Sequence, residues 1–284
     1  MSKFFDETQK AEQWAANQNI VNAQAQEVLE TVRQTDTAGK DVADVRLRGC
    51  RRIKLPSAGL PLISSNGKTP DKLALVATEC YRGLRTRLLR QQSKTGLRSV
   101  VITSAFAGEG KTLTALNLAL ACAGLADQRV LLVDADLRTR GLSKLLGEPQ
   151  GPALPDALSG GAAFPDVVLA TDLANLHVVA AGAKPAGGNE PFTGNRWKEF
   201  VGWCGESFKL VLVDSPPILP LADFELISAS CDAVMFVVRA LHTKRQVMRQ
   251  AAAQLEGKKV VGVVFNGAPA GGVHKEYLSY YRAE

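Results

Sequence analysis

Between about Leu73 and Phe265 the chain alternates short apolar runs with amphipathic segments. Six of the runs, Ser99–Thr103, Val130–Asp134, Leu176–Ala180, Lys209–Asp214, Ala233–Val238 and Val260–Phe265, are rich in β-branched residues and lack an alternation of apolar and polar positions. Strands that are apolar on both faces belong in a parallel sheet covered on each side by helices. The intervening TLTALNLALACAGL and KRQVMRQAAAQLEG are long enough for crossover helices, and a further helix through ATECYRGLRTRLLRQQ precedes the first run. The predicted class is α/β, a doubly wound, mostly parallel sheet.

The ends of the chain break this pattern. Residues 1–75 read as an arm: Gln, Asn and Ala dominate its first thirty or so residues, and Trp14, Val21, Val28 and Val32 give a thin apolar stripe to a helix predicted around Glu7 to Arg33. SAGLPLISSNGKTPD then reads as an extended connection. Residues 76–270 carry the alternating pattern, and residues 271–284 form a tail that holds three of the four tyrosines, Tyr277, Tyr280 and Tyr281. A terminal turn packed by its own rings and a tail that presents hydroxyls to an active site are both compatible with that clustering.

A length of 284 residues suits one large core with an arm and a tail. The five cysteines are widely spaced without a C-x-x-C pair, which predicts reduced thiols and a cytoplasmic setting. His177, His242 and His274 have no metal-like spacing. Neither a signal-like start nor a membrane-length apolar run is present in the sequence. The net charge of +6 is densest in RLRGCRRIK, where Arg46, Arg48, Arg51, Arg52 and Lys54 make either a solvated linker or a contact for anionic lipid or an acidic partner. Without interleaved aromatic residues the patch does not read as a nucleic-acid site.

The chemistry follows the first strand. SAFAGEGKTLT places Gly108, Glu109, Gly110, Lys111, Thr112 and Leu113 on a strand-to-helix turn. Glycines let the backbone wrap a phosphate with N–H groups inward, and the helix that follows offers its positive end to the same anion. Lys111 then reaches the β- and γ-phosphates of ATP, and the Thr112 hydroxyl serves Mg2+. Ala105 stands where G-x-x-x-x-G-K-S/T has its first glycine. Two strand ends complete the site, VLLVDADLR with Asp134, Asp136 and Arg138, and LVLVDSPPILPLAD with Asp214 and, later, Asp223. In a parallel sheet these ends share one edge. Carboxylates beside a triphosphate require a cation between them, so Mg2+ is predicted with ATP. A tyrosine hydroxyl with an ordinary pKa of about 10 needs a base during transfer, for which Asp134 is the candidate.

GEGKT, VLLVDADLR and LVLVDSPP resemble the Walker A, Walker A′ and Walker B motifs of the bacterial tyrosine kinases, the BY-kinases, over roughly Ala77 to Tyr281. TECYRGLRTRLL has Glu79, Arg82 and Arg85 in the ExxRxxR spacing that this family uses for ring-like self-association, and HKEYLSYYRAE resembles its C-terminal tyrosine cluster. The resemblance implies a P-loop NTPase fold and an ATP-dependent tyrosine autokinase. In it Lys111 and Thr112 hold phosphate and metal, Asp136 and Asp214 serve Mg2+, Arg138 assists the nucleotide and Asn266 lies near the adenine. It further implies a homo-oligomer, a transmembrane activator from a polysaccharide export system, and recruitment to the inner face of the plasma membrane. Ala107 departs from the proline common at that place, and the tyrosine cluster is short. About fifteen residues separate Asn266 from Tyr281, a span of roughly 20 Å for a flexible chain, so the chain's own site and a neighbour's are both within reach. The alternatives are a partitioning ATPase switch of the MinD and ParA type, whose second lysine would stand at Phe106, and a nucleotide-dependent scaffold without transfer chemistry.

Overall fold

The computed structural model describes residue 47 and residues 49–55, 72–183, 191–219 and 222–268, with side chains from residue 76 onward in the first helix. The chain divides into a unit of Met1–Val45 and a unit of Arg46–Glu284, and all described residues lie in the second. The helix expected around Glu7 to Arg33, the connection Ser57 to Asp71 and the tail tyrosines fall outside the described residues.

The six expected strands all form: β2 (Ser99–Ser104), β3 (Val130–Asp134), β5 (Leu176–Val179), β6 (Leu210–Asp214), β7 (Ala233–Arg239) and β8 (Val260–Asn266). Two short strands join them, β1 (Arg51–Arg52) and β4 (Val168–Ala170). The sheet order is β1-β4-β5-β3-β6-β2-β7-β8, and every pair is parallel except β4 with β5. The basic stretch assigned to the arm therefore contributes to the sheet. Ile53 N–H donates to Ala170 C=O at 2.9 Å, and Arg51 donates to the carbonyls of Gln150 and Pro152.

Helices cover both faces. α1 (Lys72–Thr95), α2 (Lys111–Ala123) and α3 (Gly141–Leu145) lie on one side, and α4 (Leu154–Ser159), α5 (Arg196–Ser207), α6 (Asp223–Ser228) and α7 (Arg245–Gln254) on the other. Within β3, Val130 and Leu132 join the core under α2 while Leu131 and Val133 join the core under α5. This is the period of two expected of a strand buried on both faces. Trp197 and Phe200 anchor α5, with ring centroids 5.8 Å apart, and Trp197 Nε1–H donates to Ile227 C=O at 3.0 Å.

β8 departs from its expected burial. Val263 is 49% exposed and Phe265 60%, because β8 is the last strand in the sheet order among the described residues. A shallow groove of about 410 Å³ runs between β8 and α7, lined by Met248, Ala252, Leu255, Val260 and Val263. Among the described residues no helix is long and apolar enough to cross a membrane.

Candidate active site

The topology brings the motifs together before any side chain is considered. β2 lies between β6 and β7, and β6 pairs with β3 so that Asp134 and Asp214 stand opposite each other at the ends of neighbouring strands. The loop after Ser104 rises from the same edge and turns into α2 at Gly110. Gly110 has a φ of 94°, a region L side chains rarely enter, and a Cβ there would collide with the amide of Asn266. The first intrahelical bond runs from Thr114 N–H to Gly110 C=O at 2.9 Å. The N–H groups of Lys111, Thr112 and Leu113 are thus the orphan donors of the first turn, and no side chain caps them. Such an N-terminus suits a phosphate.

The loop is held from behind. Glu109 is 2% exposed, with one carboxylate oxygen accepting from Phe106 N–H at 3.1 Å and the other from the Thr243 hydroxyl. Asn266 Nδ2 donates to the Glu109 carbonyl at 3.0 Å, and Arg239 donates to the Gly108 carbonyl at 3.3 Å. Glu109 therefore shapes the loop through its side chain and offers a ligand only its backbone. Thr243 and Arg239 were not anticipated from sequence; a basic residue ending the apolar run of β7 was the available signal.

Lys111 is buried, 7% exposed, and not the surface-loop side chain that a glycine-rich turn suggests. Its Nζ lies 2.8 Å from Asp136 Oδ2 and 3.8 Å from Asp214 Oδ1. Burial alone would lower its pKa, but Asp214 and Asp136 outweigh it and raise the pKa above the ordinary lysine value. Asp136 is held below the ordinary carboxylate value: burial opposes this, and the charge of Lys111 and the Thr139 N–H bond to Oδ1 at 3.0 Å prevail.

Asp214 and Asp134 go the other way. Both are fully buried, and both carboxylate oxygens of Asp214 lack a hydrogen-bond partner. Burial pushes Asp214 up to about 7, only partly offset by Lys111. Burial also pushes Asp134 up to about 6. Ser143, on α3, donates to Asp134 Oδ2 from both its N–H and its hydroxyl at 2.7 Å, which leaves Asp134 Oδ1 unpaired. The same Ser143 oxygen accepts from Ala181 N–H at 2.8 Å. A serine in the first turn of the short helix after the acidic motif was the overlooked signal.

Buried Asp214 oxygens with no well-formed hydrogen bond, beside Thr112 and the Asp134 and Asp136 carboxylates, fit a hard cation. No group of three or more His, Cys, Asp or Glu side chains among the described residues could hold a metal alone. Mg2+ commonly takes one or two protein carboxylates plus water and phosphate oxygens. The Arg138 guanidinium meets Asp223 of α6, Nε to Oδ2 at 2.8 Å.

The assembly motif divides. Glu79 and Arg82 form an exposed i,i+3 pair on α1, whereas Arg85 donates to Ala121 C=O at 2.8 Å in the last turn of α2. A cation there complements the negative end of a helix. Glu79→Ala with Arg82→Ala is expected to leave thermal stability within about 0.5 kcal/mol, while Arg85→Ala lowers it by about 1–2 kcal/mol. Equal melting temperatures for the two variants would reject this division.

The model of the CobQ/CobB/MinD/ParA nucleotide-binding domain matches residues 100–282. The tyrosine-protein kinase CpsD of Streptococcus agalactiae is 31% identical over 193 residues, covering 66% of this chain and 82% of CpsD. The chain belongs to the bacterial tyrosine kinases. EpsB of Ralstonia solanacearum is 33% identical over 216 residues, and the BY-kinase chain described here matches 28% of the length of EpsB with 75% of its own. The kinase domain of the Escherichia coli tyrosine kinase ETK superposes with a TM-score of 0.64 at 27% identity, over 69% of this chain and 77% of that one. The BceF tyrosine kinase domain gives 0.61 at 29% identity, over 72% and 85%. Glycine-loop, acidic strand ends and sheet order thus belong to a nucleotide-binding P-loop domain of this family.

Proposed function

We propose that the protein is an ATP-dependent tyrosine autokinase that phosphorylates its own C-terminal cluster, Tyr277, Tyr280 and Tyr281, in the control of polysaccharide synthesis or export. One observation carries the reading: Lys111, Asp136 and Asp214 meet in a buried cluster beneath the uncapped start of α2, with unpaired acceptor oxygens left on Asp214. A phosphoryl group held by the N–H groups of Lys111, Thr112 and Leu113 would lie against Lys111 and those acids. When bound, Mg2+ neutralises charge on the phosphate oxygens, and Thr112, Asp136 and Asp214 are the residues that would hold it. In transfer the tyrosine Oη–P bond forms as the bond from the γ-phosphorus to its bridging oxygen breaks. ADP leaves with the electron pair, and the phenolic proton passes to a carboxylate. Asp134, with one free oxygen and a pKa near 6, suits that role at neutral pH.

The arm of residues 1–75, the kinase domain of residues 76–270 and the tail of residues 271–284 divide the work in this reading. A ring-like homo-oligomer, in which half-buried Glu79 and exposed Arg82 contribute, would let the tail of one copy enter a neighbour's site. A transmembrane activator would hold the kinase at the inner face of the plasma membrane. Purified protein incubated with ATP and Mg2+, with and without an activator fragment, is expected to carry phosphotyrosine on the tail by mass spectrometry. ATP turnover without label on Tyr277, Tyr280 or Tyr281 in either condition would favour the ATPase switch.

A further inference from the structure

The phosphate loop has two sides. Its apex, Gly108 to Gly110, is bonded to the ends of β7 and β8 through Arg239, Thr243 and Asn266. Its beginning leans instead on the connection after β6, the strand that ends in Asp214. There Ile218 N–H donates to Ser104 C=O at 2.9 Å and Leu219 N–H to Ala105 C=O at 3.4 Å. Phe106 comes directly after Ala105, where the two sides of the loop meet, and its own N–H turns to Glu109 of the apex.

The backbone of Phe106 is fixed at both ends. Its N–H donates to Glu109 Oε2 at 3.1 Å, and its carbonyl accepts from the Ser104 hydroxyl at 2.8 Å. Phe106 is nevertheless 45% exposed, on a turn and not on a sheet rim as Phe265 is at 60%, whereas Phe192, Phe200, Phe208, Phe224 and Phe236 are each at most 6% exposed. A ring left half in water contributes little apolar burial to folding. An aromatic face presented on a fixed backbone is what a second ring needs in order to pack in an offset or edge-to-face arrangement.

We propose that Phe106 is an acceptor-binding residue, the platform on which the ring of the incoming tyrosine packs while its hydroxyl reaches toward the acids. The proposal rests on the kinase reading above. It also gives that reading a selectivity: serine and threonine have no ring to lay on Phe106, so the platform favours tyrosine acceptors.

The test uses the full chain with ADP and Mg2+ and a fluorescent peptide of the tail, HKEYLSYYRAE, followed by anisotropy, and then peptide phosphorylation with ATP. Phe106→Ala is expected to weaken peptide affinity about tenfold, from the lost ring pairing and buried apolar area. ADP affinity should stay within about twofold, because the N–H and carbonyl of residue 106 remain. Phe106→Trp should restore peptide binding, and Phe106→Leu should not restore it fully. In the phosphorylation assay the loss should appear in KM for peptide and leave KM for ATP alone. Unchanged peptide affinity in Phe106→Ala, no peptide binding by the parent chain, or a parallel loss of ADP affinity would each overturn the proposal. The binding measurement needs no phosphoryl transfer, so it judges Phe106 even where the parent chain labels no tyrosine, a result that would count against the kinase reading alone.

Discussion

Lys111→Met is expected to abolish ATP-dependent tyrosine labelling and, in addition, to weaken the ligand-free protein. The second effect follows from burial. Removing the ammonium leaves Asp136 and Asp214 as neighbouring buried carboxylates with no cation, and stripping one partner from a buried ion pair costs about 3–5 kcal/mol. The sign with pH follows from Asp136. Its depressed pKa gives the parent protein stability that is present above the ordinary carboxylate value and lost as pH falls through the folded value. That contribution disappears with Lys111, and it is complete above the ordinary carboxylate value of 3.8, so the deficit should be larger at pH 5 than at pH 3. Thermal denaturation of both proteins at the two pH values measures it. An equal shift in melting temperature at both would show that Lys111 is not the counter-ion of these acids in the resting protein.

Asp214→Asn should produce the opposite pairing of effects, a more stable resting protein that no longer holds magnesium nucleotide well. In the parent, Asp214 titrates near 7 in the fold against an ordinary value of 3.8. The folded state therefore retains a proton that the unfolded chain has lost, and stability falls as pH rises from about 4 to 7, then levels off. Asparagine removes that term, which amounts to a few kcal/mol at pH 8. The parent's affinity for ADP with Mg2+ should rise with pH to about 7, since a hard cation wants the ionised carboxylate. Titration calorimetry at several pH values, with and without Mg2+, compares the two proteins. A flat parent profile from pH 6 to 8, or parental affinity in Asp214→Asn, would remove Asp214 from the proposed metal site.

The strands were legible because an apolar run with no polar alternation has few places to go other than the middle of a covered sheet. The same reasoning failed at the two rims. β1 and β4 have two and three residues, too few to show any period. β8 has the apolar pattern of an inner strand and stands half exposed, because no later strand covers it among the described residues. At the site, the glycine loop and the acids Asp134, Asp136 and Asp214 were readable from spacing alone. Depth was not: nothing in GEGKT says that Lys111 folds down onto two aspartates. Ser143 under Asp134, Thr243 under Glu109 and Asp223 against Arg138 are contacts between segments 9, 134 and 85 residues apart. Such pairings follow from the packing of elements, and the local signals, a serine early in α3 and a basic residue ending β7, do not name the partner.

The two rims of the sheet are unequally defended. At one, β1 is only two arginines long, and brevity with charge discourages a foreign strand from adding on. At the other, β8 offers seven residues from Val260 to Asn266 without a single lysine, arginine or proline. Among the described residues, growth of the sheet by an added strand, from a partner or from a misfolded copy, therefore has one permitted direction.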